Sequence, residues 1–342
     1  MITTVNQAFD EFMKNKVNLD PAMTSTARAS RDWLELVIKN FPENDPSFPI
    51  LVPEFNICFG SFARRTQTRP LDDIDMMICL HDEYGCFYHG YSAEKIEIFF
   101  YPNYIGRLTK FKDVLSGKLN SRKIINQFVS SLKAVPNYKK ADIKRNQEAA
   151  TLELQSYSWS FDVVPCLMVV DQTDGRKYYL IPNGEGDWKK TNPRLDRDRI
   201  SYINQACNKK VLEVIRLFKY WNKNSITTPL ESYLLETMIS NYYQKKIAES
   251  FPKSFNPSSI DIEFREVLYD VSTSILFDVY DPKEIQGNIN YFNIDQRKKL
   301  NGLLLDIYIN VLMAFSHKSK NEHKEAIEKW RKIFGLDFPR YG

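Results

Sequence analysis

Several familiar signatures are missing from this sequence, and each absence narrows what it can be. The five cysteines, Cys58, Cys79, Cys86, Cys166 and Cys207, include no C-x-x-C pair, so no disulfide framework is indicated and reduced thiols are expected. A formal net charge of +4 over 342 residues is too small to announce a duplex-DNA binder, although it suits a site that holds polyphosphates. Neither G-x-x-x-x-G-K-S/T nor G-x-G-x-x-G occurs, which argues against P-loop and Rossmann folds. The opening "MITTVNQAFDEFMKN" lacks the basic and apolar regions of a secretory signal, and the apolar stretch "LLLDIYINVLMAF" is broken by Asp306 and Asn310. No membrane span and a cytoplasmic location are therefore expected. His81, Cys86 and His89 match no common zinc spacing, so no zinc is expected.

What the chain does have is ample material for a core: 43% hydrophobic residues, with 22 Phe, 19 Tyr and 5 Trp. Residues Val5 to Phe41 read as two helices split near "NLDPAM", with Asp20 as N-cap before Pro21 and an apolar face of Ala29, Trp33, Val37 and Phe41. From Phe55 to Leu180 come the strand-like runs "FNICF", "IDMMICL", "IEIFF", "ATLEL", "SFDVVPCLMVV" and "KYYLI", interrupted by a helical stretch from Ile105 to Leu132. Beyond "KKTNPRLDRDR", which reads as a solvated loop and helix start, the chain is helical almost to its end. Its stripes are Val211, Val214, Ile215, Phe218 and Trp221, then Leu300, Leu303, Leu304, Ile307 and Val311, then Ile327, Trp330 and Phe334. An α+β order follows, with residues 1–200 as a mixed-sheet core and 201–342 as a helical lobe.

The chemistry is in "FGSFARRTQTRPLDDIDMMICL". Asp73 and Asp75 lie two apart in an apolar strand and so project from one face. Two like charges at that spacing repel unless a divalent cation lies between them. A pair of Mg²⁺ ions can activate an attacking hydroxyl and stabilise a leaving pyrophosphate, usually with a third carboxylate. Asp162, alone at the start of "DVVPCLMVV", is the candidate. Asp72 reads as a turn residue. Gly60 and Ser61 end a strand and open a turn, where backbone N–H groups and a small hydroxyl suit a phosphate.

These residues resemble the signature of the polymerase-β-like nucleotidyltransferases, and more narrowly the bacterial cGAS/DncV-like enzymes that make cyclic di- or trinucleotides in anti-phage signalling. Phe62, Ala63, Arg64 and Thr66 fit that family's pattern, while Arg65 stands where it has glycine. "DWKKTNP", "IRLFKYWN" and "LESYLLE" continue the resemblance, which covers about Val5 to Tyr243. It implies a bilobed α+β fold with a C-terminal helical lobe closing the nucleotide cleft. It also implies two Mg²⁺ (or Mn²⁺) ions on Asp73, Asp75 and Asp162, and ATP or GTP substrates. Gly60, Ser61, Lys219 and Ser232 would bind phosphate, and Tyr233 would stack on a base. The implied reaction is successive nucleotidyl transfer with pyrophosphate release. Partners implied are an operon-encoded regulator, or ubiquitin-like conjugation machinery acting at Gly342, with a downstream effector that reads the product and does not touch the synthase. The rival readings are transfer to RNA, a small molecule or a protein, and an inactive nucleotide-binding regulator.

Overall fold

The computed structural model describes residues 1–171, 175–251 and 254–342. In chain order its helices are α1 Val5–Phe12, α2 Pro21–Lys39, α3 Phe41–Asn44, α4 Gly60–Arg64, α5 Ser121–Ala134, α6 Pro193–Ala206, α7 Val211–Ser225, α8 Ser232–Ser250, α9 Ile260–Ser274, α10 Ile294–Ser319 and α11 His323–Phe334. The strands are β1 Ile57–Phe59, β2 Asp73–Leu80, β3 Cys86–Ser92, β4 Lys95–Phe100, β5 Asp142–Asn146, β6 Ala149–Glu153, β7 Ser160–Val170, β8 Lys177–Pro182 and β9 Trp188–Thr191. Two compact units divide them. One holds Ala22–Arg64 and Leu71–Arg197; the other holds Met1–Pro21, Arg65–Pro70 and Asp198–Gly342. Each unit is thus discontinuous in sequence, with the first helix grouped with the last ones.

The sheet unit is a mixed nine-stranded sheet in the order β1-β2-β7-β8-β9-β4-β3, with β6 also paired to β7 and β5 to β6. β7 is the branch point. Along one edge it runs parallel to β2, while its other edge pairs first with β6 up to Val163 and then with β8 from Leu167. Pro165 has no N–H to give a ladder, and it falls in the gap between those two partners. Six of the nine strands answer to the apolar runs of the sequence. β3, β5 and β9 do not: six of the seven residues of β3 are exposed, so its pattern carries no burial signal.

Three local expectations are corrected. The buried face of α2 is Ala27, Leu34 and Ile38, leading to Phe41, whereas Trp33 is 51% exposed. The Ile105–Leu132 stretch is a 3₁₀ turn at Arg107–Phe111 followed by α5, because the Asn120 side chain caps the N–H groups of Arg122 and Lys123 and starts the helix there. Lys189 and Lys190 lie in β9 rather than in a solvated loop: Lys189 bonds Glu148 at 2.7 Å, and the Lys190 ammonium lies 4.4 Å from the Tyr178 ring centre.

The helical unit is held by one aromatic-rich core. Phe9 of α1 meets Trp330 of α11 edge-on at 4.9 Å, and Phe12 meets Tyr220 of α7 at 5.0 Å. The three sequence stripes all face this core, although Leu303 and Ile307 are only half-buried. Despite Asp306 and Asn310, α10 is long and apolar enough to cross a membrane by length and composition alone. One side of it, Leu300, Leu304, Val311 and Ala314, is buried in the helical core.

Candidate active site

The strand pairing accounts for the carboxylates. β2 and β7 run in parallel with Asp75 opposite Asp162 and Asp73 opposite Ser160, so the acids come from two adjacent strands far apart in sequence. Two positions further along the same face come Met77 and Val164, then Cys79 and Cys166, all buried with Ile57, Ala149, Tyr179 and Ile181. The acids therefore stand at the end of an apolar row. Burial first, and then the charges of Asp73 and Asp162, push the Asp75 carboxyl up to about 8, with Arg64 pulling the other way. Asp72 is exposed at the turn before β2, and its carbonyl accepts from Ser160 N at 2.9 Å.

Phe59, the last residue of β1, lies opposite Asp75, so the next residue, Gly60, passes close to that carboxylate. A Cβ at Gly60 would sit 1.7 Å from Asp75 Oδ2, and its φ is +70°. Both demands select glycine. Ser61 follows in the first turn of α4 and is half-buried.

Sequence reasoning missed a residue that orients the third acid. Thr151 of β6 is opposite Asp162 across the antiparallel pair, and its Oγ1 donates to Asp162 Oδ1 at 2.6 Å. One threonine in "ATLEL" gives no signal of this role; only the register of β6 on β7 reveals it.

The other candidates belong to the helical unit. Lys219 of α7 is largely covered and forms a 2.8 Å ion pair with the buried Glu236 of α8, which also accepts from Thr66 Oγ1 at 3.1 Å. Ser232 is the exposed first residue of α8. Tyr233 is half-buried: its hydroxyl donates to Asp281 at 2.6 Å, and the Lys283 ammonium lies 4.3 Å from its ring centre. Glu236, Asp281 and Lys283 were not singled out from the sequence. Gly342 N donates to Ile2 O at 2.9 Å.

The donor set is chemically suited to a divalent cation: three carboxylates on neighbouring strand positions, one of them resisting ionisation because of its burial and then because of the others. Among the described residues, no three His, Cys, Asp or Glu side chains stand gathered as they would around a bound ion. The acids are thus close enough to influence one another without forming a closed cage.

No family model matches the chain. CdnC of Escherichia coli MS115-1, solved with ATP, has the same fold, with a TM-score of 0.68 over 98% of each chain at 17% identity. The protein is therefore a mixed α/β chain with a nucleotidyltransferase fold. A probable cyclic nucleotide synthase of Bacillus cereus strain VD146 is 41% identical over 344 residues, covering 100% of this chain and 99% of that one. The cyclic AMP-AMP-AMP synthase of Escherichia coli strain MS 115-1 is 22% identical over 350 residues, 96% of this chain and 95% of that one. The chain belongs to the cGAS/DncV-like nucleotidyltransferases, the family of bacterial cyclic nucleotide synthases.

Proposed function

We propose that this chain joins two or three nucleoside triphosphates by successive nucleotidyl transfers, releasing pyrophosphate and closing a cyclic second messenger that serves anti-phage defence in the cytoplasm. The observation that carries the reading is the parallel register of Asp75 on Asp162, with Asp73 on the same strand and Gly60 against Asp75. ATP is the favoured substrate, because one relative is named for a product made from AMP units and the CdnC structure was solved with ATP; GTP remains a second candidate.

Asp73 and Asp75 would hold two Mg²⁺ ions, with Asp162 joining at the catalytic one. When bound, the ions would favour ionisation of the acceptor hydroxyl and neutralise charge on the leaving pyrophosphate. The chain's own groups do the rest. Thr151 holds one oxygen of Asp162 and so fixes the direction of that carboxylate. The Gly60–Ser61 turn offers backbone N–H groups and a hydroxyl to phosphate oxygens, with its approach to Asp75 left open by the missing Cβ. Lys219 and Ser232 are assigned to phosphate, with Glu236 as the partner a phosphate would have to displace from Lys219, and Tyr233 to a base.

The test is incubation of the purified chain with four labelled NTPs and Mg²⁺ or Mn²⁺, followed by phosphatase. A phosphatase-resistant small nucleotide is the expected product. Label appearing in RNA, protein or a small acceptor, or no product under any activating condition, would overturn the reading.

A further inference from the structure

Between α4 and β2 the chain leaves the sheet unit for six residues, and those residues, Arg65–Pro70, group with the helical unit. The segment is tied down along its length. Thr66, fully buried, donates to Glu236. Arg69 N donates to Val17 O at 3.1 Å, and the Arg69 guanidinium donates to the carbonyls of Lys14, Asn15 and Asn18, the open end of the π-helical turn Met13–Val17.

The first residue of the strap is its strained one. Arg65 has φ +61°, a left-handed backbone that an ordinary L residue adopts only when its surroundings enforce it. The group bonded to its carbonyl is Arg216 of α7. Its Nη1 donates to Arg65 O at 2.7 Å and its Nε donates to Asn18 Oδ1 at 2.6 Å. Both acceptors are neutral, and burial pushes the guanidinium pKa down, with Glu213 opposing. A half-buried charge whose bonds go to two neutral oxygens gains no ion pair from them; what it supplies here is a fixed fork between the strap and the N-terminal turn.

We propose that Arg216 is a positioning residue: its bond to Arg65 O holds the left-handed turn that closes α4, and so fixes the helix whose first residues are Gly60 and Ser61. A glycine at position 65 would take the same backbone without strain, which yields a test specific to this role. The variants are Arg216→Gln, Arg65→Gly and the double variant.

The catalytic half of the test rests on the nucleotidyltransferase reading above. Arg216→Gln should lower kcat by up to about a hundredfold with little change in KM for NTP, and adding Arg65→Gly should restore kcat to within about threefold of the Arg65→Gly single variant. A charge acting directly on a phosphate would instead raise KM and gain nothing from Arg65→Gly. The second half is thermal unfolding of the same four proteins, which needs no activity. Arg216→Gln should lower Tm by a few degrees with glycine at position 65 and by clearly less with Arg65 present, where losing the bond also releases the strained turn. Equal losses in both backgrounds, or wild-type kcat and Tm in Arg216→Gln, overturn the proposal. A wild-type chain that makes no product would overturn the catalytic reading, and the unfolding cycle would still decide on Arg216.

Discussion

Asp75 holds its proton up to about 8 because burial and the charges of Asp73 and Asp162 both oppose ionisation. Unfolded, the same carboxyl has a pKa of 3.8. Between those values the folded chain binds more protons than the unfolded one, so this residue makes stability fall as pH rises through that window. Asp75→Asn removes the effect. In metal-free buffer the variant should melt above the wild type at pH 8, with the gap closing towards pH 4, while nucleotidyl transfer is lost. Thermal unfolding across the pH series reads this out, and a gap that grows on acidification would refute it. At this scale the sequence was informative where a residue broke its context. Asp73, Asp75 and Asp162 are charges in apolar runs and stand out. Thr151 and Glu236 are ordinary residues for a strand and a helix, and their importance comes from partners that only folding supplies.

The elements around the acids leave little room for change. The β1–α4 turn has to bring Gly60 past Asp75 within a distance that no side chain tolerates. Gly60→Ala would force the Asp75 carboxylate to move and would strain a positive φ, at a cost of about 1–3 kcal/mol. Turnover should fall by about a hundredfold or more while the chain stays folded by circular dichroism; an alanine variant with wild-type turnover would show that this approach does not matter. Strand legibility followed burial. β2 and β7 are buried almost throughout and were plain in the sequence, whereas β3 is exposed and β9 carries two lysines. The face of α2 was misread because Ala29, Trp33 and Val37 also recur at helical spacing, and spacing cannot say which of two stripes meets the core.

Across the whole chain, the stripes on α7, α10 and α11 were legible, and the grouping of α1 with them was not. That grouping depends on pairs such as Phe9 with Trp330, and no local pattern encodes a partner at the opposite end. Phe9→Ala and Trp330→Ala should each cost about 3–5 kcal/mol in denaturant unfolding, and the double variant should cost less than their sum because the rings share one contact. Fully additive losses would mean that the two rings are not coupled.

Lys16 and Asp337, 321 positions apart, are joined by a 2.6 Å ion pair. On the ribosome the chain emerges from its first residue onward, so every strand of the sheet has been synthesised before α11 exists. The sheet can therefore organise co-translationally, whereas on the apolar side of α1 Phe12 waits for Tyr220 of α7 and Phe9 waits for Trp330 of α11. The nascent chain thus carries an apolar helix face whose partners are made hundreds of residues later, and slow elongation between them would leave that face exposed to aggregation.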